Sequence, residues 1–347
     1  WARQVLEDLI PFLNDPLAKE TIKKVLKWMH EGCRVYCSPE VQRFSFGGGM
    51  AMSIKEHAEI LAQDGLNVYV ITILYSYSEK RLEDSTIQRT YTKNETIRRN
   101  NIIYSGEVVQ AYLGRRGLVP AAVAQTKKNK VGYILLDDPY GHFTDALYGR
   151  LMGNTTDPNQ LVDNEHEMLR AIFLNRAGLE AMKALNIYPG MIIGNDWTCA
   201  LLMALLFLDS SLYKNDPHFA QVKRIGMKHN GGVDYMFRVP RYQKGVDLLE
   251  YLGIAPNEYH WFIDPYHSEL INLQYGFIRF NHLLCDVSQG QMEASMASDE
   301  EGGGEGHAFV YRKLREEDRL SYLSTGIGLK SQQKSVFGKS MFEVNSQ

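Results

Sequence analysis

Residues 34–74 run strand, loop, helix, strand, and this order constrains the fold more tightly than any other feature of the chain. Arg34–Ser38 is a short β run, Gly47-Gly48-Gly49 lies in a loop, Ser53–Gln63 has helical spacing closed by Gly65, and Asn67–Leu74 is a continuous apolar strand. Two strands joined through a helix lie parallel, and such crossovers are right-handed. The unit therefore predicts an α/β fold: a Rossmann-like, mostly parallel sheet with helices on both faces. The alternation resumes after residue 160. Glu165–Leu185, Trp197–Leu208 and His267–Asn281 read as helices, and Met191–Gly194, Val222–Met227 and Leu283–Val287 as strands. Between the two halves, Leu118–Thr126 alternates polar and apolar, Lys127-Lys128-Asn129-Lys130 makes a turn, and Val131–Leu136 returns. That is a β-hairpin insertion. Thr86–Tyr112 shows only strand-like pieces.

The flanks differ in pattern. Val5, Leu6, Leu9, Ile10 and Leu13 form one helical stripe, and Ile22, Val25, Leu26 and Met29 a second, separated at Asn14-Asp15-Pro16. Residues 1–32 thus read as a helical prefix or linker, 33–290 as the Rossmann domain, and 291–347 as a flexible acidic loop and tail. Within that tail, segment 289–307 is small, acidic and Gly-rich, and Glu316–Tyr322 reads as a last helix. The chain opens on Trp1, which reads as a piece trimmed from a longer chain.

Composition excludes several function classes. Apolar residues make up 44% of the 347, enough for a large core, and the net charge of -3 argues against a general nucleic-acid partner. No apolar run approaches the roughly 18 residues of a membrane span. Cys33, Cys37, Cys199 and Cys285 are scattered, which suggests neither a disulfide framework nor a zinc site and fits a reducing, cytoplasmic compartment. No cofactor or metal is expected.

Three polar turns follow strands, where ligands of open parallel sheets bind. The Gly47-Gly48-Gly49 amides at a helix start suit a phosphate or a sugar hydroxyl, or simply a tight βα turn. Asn195-Asp196-Trp197 suits a ligand, or Asp196 as an N-cap with Trp197 as packing. His229-Asn230 falls on the same edge. Asp137-Asp138-Pro139 reads as a Pro-flanked turn rather than a metal site, and Asp163-Asn164-Glu165 as a helix cap.

Taken in order, these pieces resemble the N-terminal domain of bacterial glycogen synthases and plant starch synthases. Ser45-Phe46-Gly47-Gly48-Gly49 stands where that family has its Lys-x-Gly-Gly-Leu loop. Glu59–Val70 matches its next helix and strand, and Asp137-Asp138-Pro139, Leu147-Tyr148-Gly149 and Asp163-Asn164 follow in the family's order. The strongest block, Tyr188–Leu201, is similar to the family's "PDIIHANDWHTAL", and His229-Asn230, Ile271-Asn272-Leu273 and Asp286-Val287-Ser288 complete the series.

The resemblance implies the N-terminal half of a GT-B glycosyltransferase, the acceptor-side domain of an enzyme that transfers glucose from ADP- or UDP-glucose to an α-glucan. It implies catalytic roles for His229 and Asp196, and substrate contacts from Ser45, Gly47, Gly48, Asn195, Trp197 and Asn230. The departures sit in the same places. Ser45 replaces the loop lysine, Ala51 an aspartate, Thr198 a histidine, and the "HAND" histidine falls near Gly194. Only about sixty residues follow Ser288, too few for the family's C-terminal donor domain. The chain alone is therefore expected to be inactive. The alternatives are a non-catalytic relative that binds glucan or a protein partner, and a GT-B enzyme with another donor.

Overall fold

Strand β1 (Cys33–Cys37), helix α1 (Gly49–Gln63) and strand β2 (Val68–Ile73) form the expected parallel unit, with register from Arg34↔Val68 to Cys37↔Ile71. The computed structural model describes residues 32–45, 49–81, 87–144, 164–229, 236–298 and 306–323, together with Pro11. The helical prefix, Gly47, Gly48, Asp163, Asn230 and the tail beyond residue 323 lie outside these. Every residue of β1 is buried, Arg34 included, so the strand shows no inside–outside alternation. On α1, Ile54, Ala58 and Leu61 recur at helical spacing and pack on Val68 and Val70.

The chain continues through β3 (Tyr77–Arg81), β4 (Ile87–Thr92), α2 (Lys93–Asn100), β5 (Ile103–Tyr112), β6 (Leu118–Lys128) and β7 (Val131–Asp137). Then come α3 (Asn164–Ala184), β8 (Pro189–Asn195), α4 (Ala200–Leu205) and β9 (Lys223–Lys228). Short strands β10 (Arg238–Pro240), β11 (Tyr242–Gln243), β12 (Val246–Asp247) and β13 (Leu270–Asn272) follow. The described chain closes with α5 (Leu273–Arg279), β14 (Leu283–Asp286), α6 (Gln289–Met296), α7 (Ala308–Glu316) and β15 (Leu320–Tyr322).

Nine strands form one sheet in the order β15-β14-β9-β8-β1-β2-β7-β6-β5. All pairs from β15 to β7 are parallel, and β6 and β5 are added antiparallel at one edge. The expected hairpin is therefore β6–β7. It closes through Asn129 (φ 48°) and Lys130 (φ 69°), the two left-handed residues that a tight hairpin turn demands. From β1 the chain steps outward to β2 and β7, then returns to build β8, β9, β14 and β15 on the other side. Because crossovers keep one hand, this reversal puts α1 and α3 on opposite faces. The switch point lies between β1 and β8.

Four local readings are corrected. Lys93–Asn100, within the stretch read as strand-like, is a helix, because Thr92 and Glu95 form a reciprocal capping box. Residues 289–296, read from composition as part of a loop, form α6: Ser288 accepts the Gln291 N–H (3.1 Å), and Met292 and Ser295 turn inward. Glu316–Tyr322 is not a helix. The helix is α7, ahead of it, and after Asp318 (φ 54°) the chain becomes β15, paired parallel with β14. The helices expected over 267–281 and 197–208 are shorter, since Asn272 caps α5 through the Tyr275 N–H (2.9 Å) and residues 197–199 form a single 3-10 turn before α4.

Candidate functional site at the sheet switch point

The carboxyl ends of β8 and β9 bring Asn195, Asp196 and His229 together. Asn195 is fully buried. Its Nδ2 donates to the Cys37 carbonyl at the end of β1 (2.9 Å), and its Oδ1 faces His229 Nε2 (2.9 Å). The amide oxygen is an acceptor, so Nε2 carries the proton and Nδ1 keeps its lone pair. Burial holds the His229 imidazole down at about 4, from an ordinary 6.5, so the ring is neutral at pH 7. His57 on α1 is likewise pushed down to about 4, by burial first and by the His229 charge second.

Asp196 directly follows β8. It precedes the 197–199 turn but makes no side-chain cap bond. Its Oδ1 instead accepts the His229 backbone N–H (2.7 Å). Its backbone sits at φ 54°, ψ -172°, a conformation that costs a non-glycine residue about 1–3 kcal/mol. Its N–H donates to the Met227 carbonyl (2.9 Å) and its carbonyl accepts from Cys199 N–H (3.0 Å), which hold it there. The carboxylate thus reaches across from the end of β8 to the end of β9. Trp197 stacks on Phe237 (4.6 Å between centroids).

Ser45 lies in the turn after β1. Its hydroxyl accepts from Val41 N–H (2.8 Å) and donates back to the Val41 carbonyl, so it closes its own turn. At Gly194, near the family histidine, an added Cβ would lie 2.4 Å from Met203 Cε and 2.8 Å from Cys199 Cβ. Packing by Met203 and Cys199 occupies that space. Asp138 is fully buried and accepts the N–H groups of Tyr140 (2.9 Å), His142 (2.7 Å) and Phe143 (3.1 Å), which makes Asp137-Asp138-Pro139 a structural turn.

A charged pair that the sequence reading missed supports the cluster from below. Lys228, the last residue of β9, places Nζ 3.4 Å from Asp286 Oδ1 at the end of β14, and both side chains are almost wholly buried. The ammonium also donates to Ser295 Oγ on α6 (2.6 Å) and lies over the Tyr311 ring of α7 (4.6 Å). Burial pushes the Asp286 carboxyl up and the Asp196 charge adds to this, while Lys228 opposes it. The signal was a lysine at the buried end of one strand and an aspartate ending the next. His57 was hidden differently, by standing on the apolar stripe of α1.

Among the described residues no group of three His, Cys, Asp or Glu side chains is placed to hold a metal, and no helix is long and apolar enough to cross a membrane.

A doubly wound sheet with a polar cluster at its switch point defines an α/β domain of the Rossmann type. The chain belongs to the starch synthase catalytic domain family, whose model matches residues 35–309. It is 22% identical over 227 residues to the glycogen synthase of Thermotoga maritima, covering 63% of this chain and 41% of that protein. With the glycogen synthase of Thermotoga petrophila it shares 31% identity over 83 residues, covering 24% of this chain and 16% of that one. In fold it is similar to the catalytic domain of starch synthase IV from Arabidopsis thaliana, solved bound to ADP and acarbose. The TM-score there is 0.64 at 17% identity, covering 86% of this chain and 52% of that one. The chain is thus a glycogen/starch synthase-like glycosyltransferase domain of GT-B type, and it spans about half the length of the relatives it matches or less.

Proposed function

We propose that this chain is the acceptor-side domain of an enzyme that transfers glucose from a nucleotide-glucose to an α-glucan. The observation that carries the reading is the Asn195–Asp196–His229 cluster at the switch point. In such a transfer the diphosphate leaves and the sugar passes through a cationic transition state, and fixed dipoles and charges aimed at that charge lower the barrier. Asn195 fixes the neutral His229 tautomer, so Nδ1 is available to accept a sugar hydroxyl. Asp196, locked by its backbone bonds, sets a negative charge at the same edge. Trp197 supports the pocket wall. In this reading the Gly47 and Gly48 amides meet the donor phosphate or the acceptor end, Asn230 adds a substrate contact, and residues 1–32 flank the domain.

Asp196→Asn keeps an oxygen to accept the His229 N–H while removing the charge. The variant is expected to lose about tenfold in maltooligosaccharide affinity, ~1.4 kcal/mol, with melting temperature nearly unchanged. Calorimetric titration beside a thermal scan checks it. Unchanged affinity would assign Asp196 to the scaffold.

The chain by itself is expected not to elongate glycogen from labelled ADP-glucose or UDP-glucose. Turnover on the order of 1 per second or above would refute this. One observation favours a second reading, a non-catalytic glucan- or partner-binding relative. The Ser45 hydroxyl, at the place of the family's phosphate-facing lysine, is consumed by its own turn. Absence of turnover in the chain joined to a donor domain would favour that reading.

A further inference from the structure

A hollow of about 520 Å³ opens at the amino ends of β2 and β7, at the opposite end of the sheet from Asp196 and His229. Its volume falls within the roughly 300–1,000 Å³ of small-molecule sites. Strand register builds the floor. Tyr69, Gly132 and Lys127 lie side by side on β2, β7 and β6, and Ile134, Gln125 and Ile103 form the next row. The absence of a side chain at Gly132 makes the depression. A Cβ there would lie 2.6 Å from Tyr69 Cδ1, so the tyrosine ring leans directly over the glycine.

The chemistry of the lining is one-sided. Asn101, Gln125, Lys127 and Lys128 all border the hollow, and none of the residues that line it is acidic. Among the described residues, the side chains of these four make no hydrogen bond or ion pair. An aromatic face beside unpaired amides suits a sugar ring, whose C–H face packs on the ring while its hydroxyls bond to the amides. Two ammonium groups without a carboxylate suit an anion. A neutral glucan leaves the two cations without a matching charge. Inorganic phosphate leaves the ring and amides idle. A phosphorylated sugar uses every group.

We propose that this hollow binds a phosphorylated monosaccharide, with the sugar over Tyr69 and Gly132, its hydroxyls toward Asn101 and Gln125, and the phosphate held by Lys127 and Lys128. The site is separate from the switch-point cluster and does not depend on that cluster being catalytic. Its open mouth leaves much of a ligand in water, which places the affinity near ~mM.

The test is calorimetric titration of the 347-residue chain with glucose 1-phosphate, glucose 6-phosphate, glucose, inorganic phosphate and maltotriose. At least one glucose phosphate is expected to bind about tenfold or more tighter than both glucose and inorganic phosphate. Paired Lys127→Gln and Lys128→Gln substitutions should remove about tenfold of that affinity, and Tyr69→Leu severalfold, with the melting temperature of each variant recorded alongside. Both lysines lie at the hairpin's end, so their loss leaves the core intact. Equal binding of inorganic phosphate would reduce the site to an adventitious anion patch and overturn the proposal. Tighter binding of maltotriose would overturn it too, and give the hollow to a neutral glucan. Retained affinity in the double lysine variant, or no binding by either glucose phosphate, would also overturn it.

Discussion

Lys228→Met is expected to lower the stability of the folded chain by about 3–5 kcal/mol, the usual consequence of leaving a buried charge without its partner. Asp286 is fully buried, its carboxyl already pushed up by burial, and Lys228 is the cation that opposes that push. Without the ammonium, the carboxylate faces the Asp196 charge alone and is driven to take up a proton. The measurement is the denaturant midpoint at pH 7 for the parent, for Lys228→Met, and for Lys228→Met combined with Asp286→Leu. The double variant should recover most of the loss, because an apolar pair of similar volume often replaces a buried ion pair at little cost. A single variant within about 1 kcal/mol of the parent would show that the pair contributes little.

The second large effect is acid destabilisation driven by histidines. His57 is pushed from 6.5 to about 4 in the folded chain, and His229 likewise. Above pH 6.5 both states hold the rings neutral and nothing is lost. As pH falls below 6.5 the unfolded chain takes up protons that the folded chain refuses, so stability declines until the folded rings titrate near 4. Each histidine contributes a slope of up to about 1.4 kcal/mol per pH unit in that window, or about 3 kcal/mol for His57 across it. Denaturant midpoints from pH 7 down to 4.5 check this. His57→Leu should flatten the slope by about one proton. An unchanged slope would mean that His57 protonates freely in the folded state.

Part of the site was legible because strand ends are legible. Met191–Gly194 is an apolar run and Val222–Met227 a strand with an apolar end; both stop at polar residues, and parallel sheets bind ligands at such stops. That reasoning put Asn195, Asp196 and His229 on one edge, where β8 and β9 do carry them. Ser45 also follows its strand, but nothing in its sequence neighbourhood showed that its hydroxyl is spent on Val41. His57, Lys228 and Asp286 were illegible for a related reason. Each matters through a neighbour distant in the chain, and a single buried charge reads as an ordinary polar residue until its partner is placed.

Local pattern alone determined the elements that depend on local physics. The buried runs at Arg34–Ser38, Asn67–Leu74 and Met191–Gly194 became parallel strands, and the alternating Leu118–Thr126 run became a hairpin arm. The capping signals at Thr92-x-x-Glu95 and Ser288 were equally local, but the first stretch was read as strand-like and the second as a loop from its composition. Only the tertiary structure decided which strands are neighbours, because strand order depends on where each crossover returns. It turned Asp196 from a possible helix cap into an acceptor for His229, since the deciding hydrogen bond spans β8 and β9. It also buried Lys228 against Asp286, because only packing α6 and α7 over those two strand ends removes water and makes the pair obligatory.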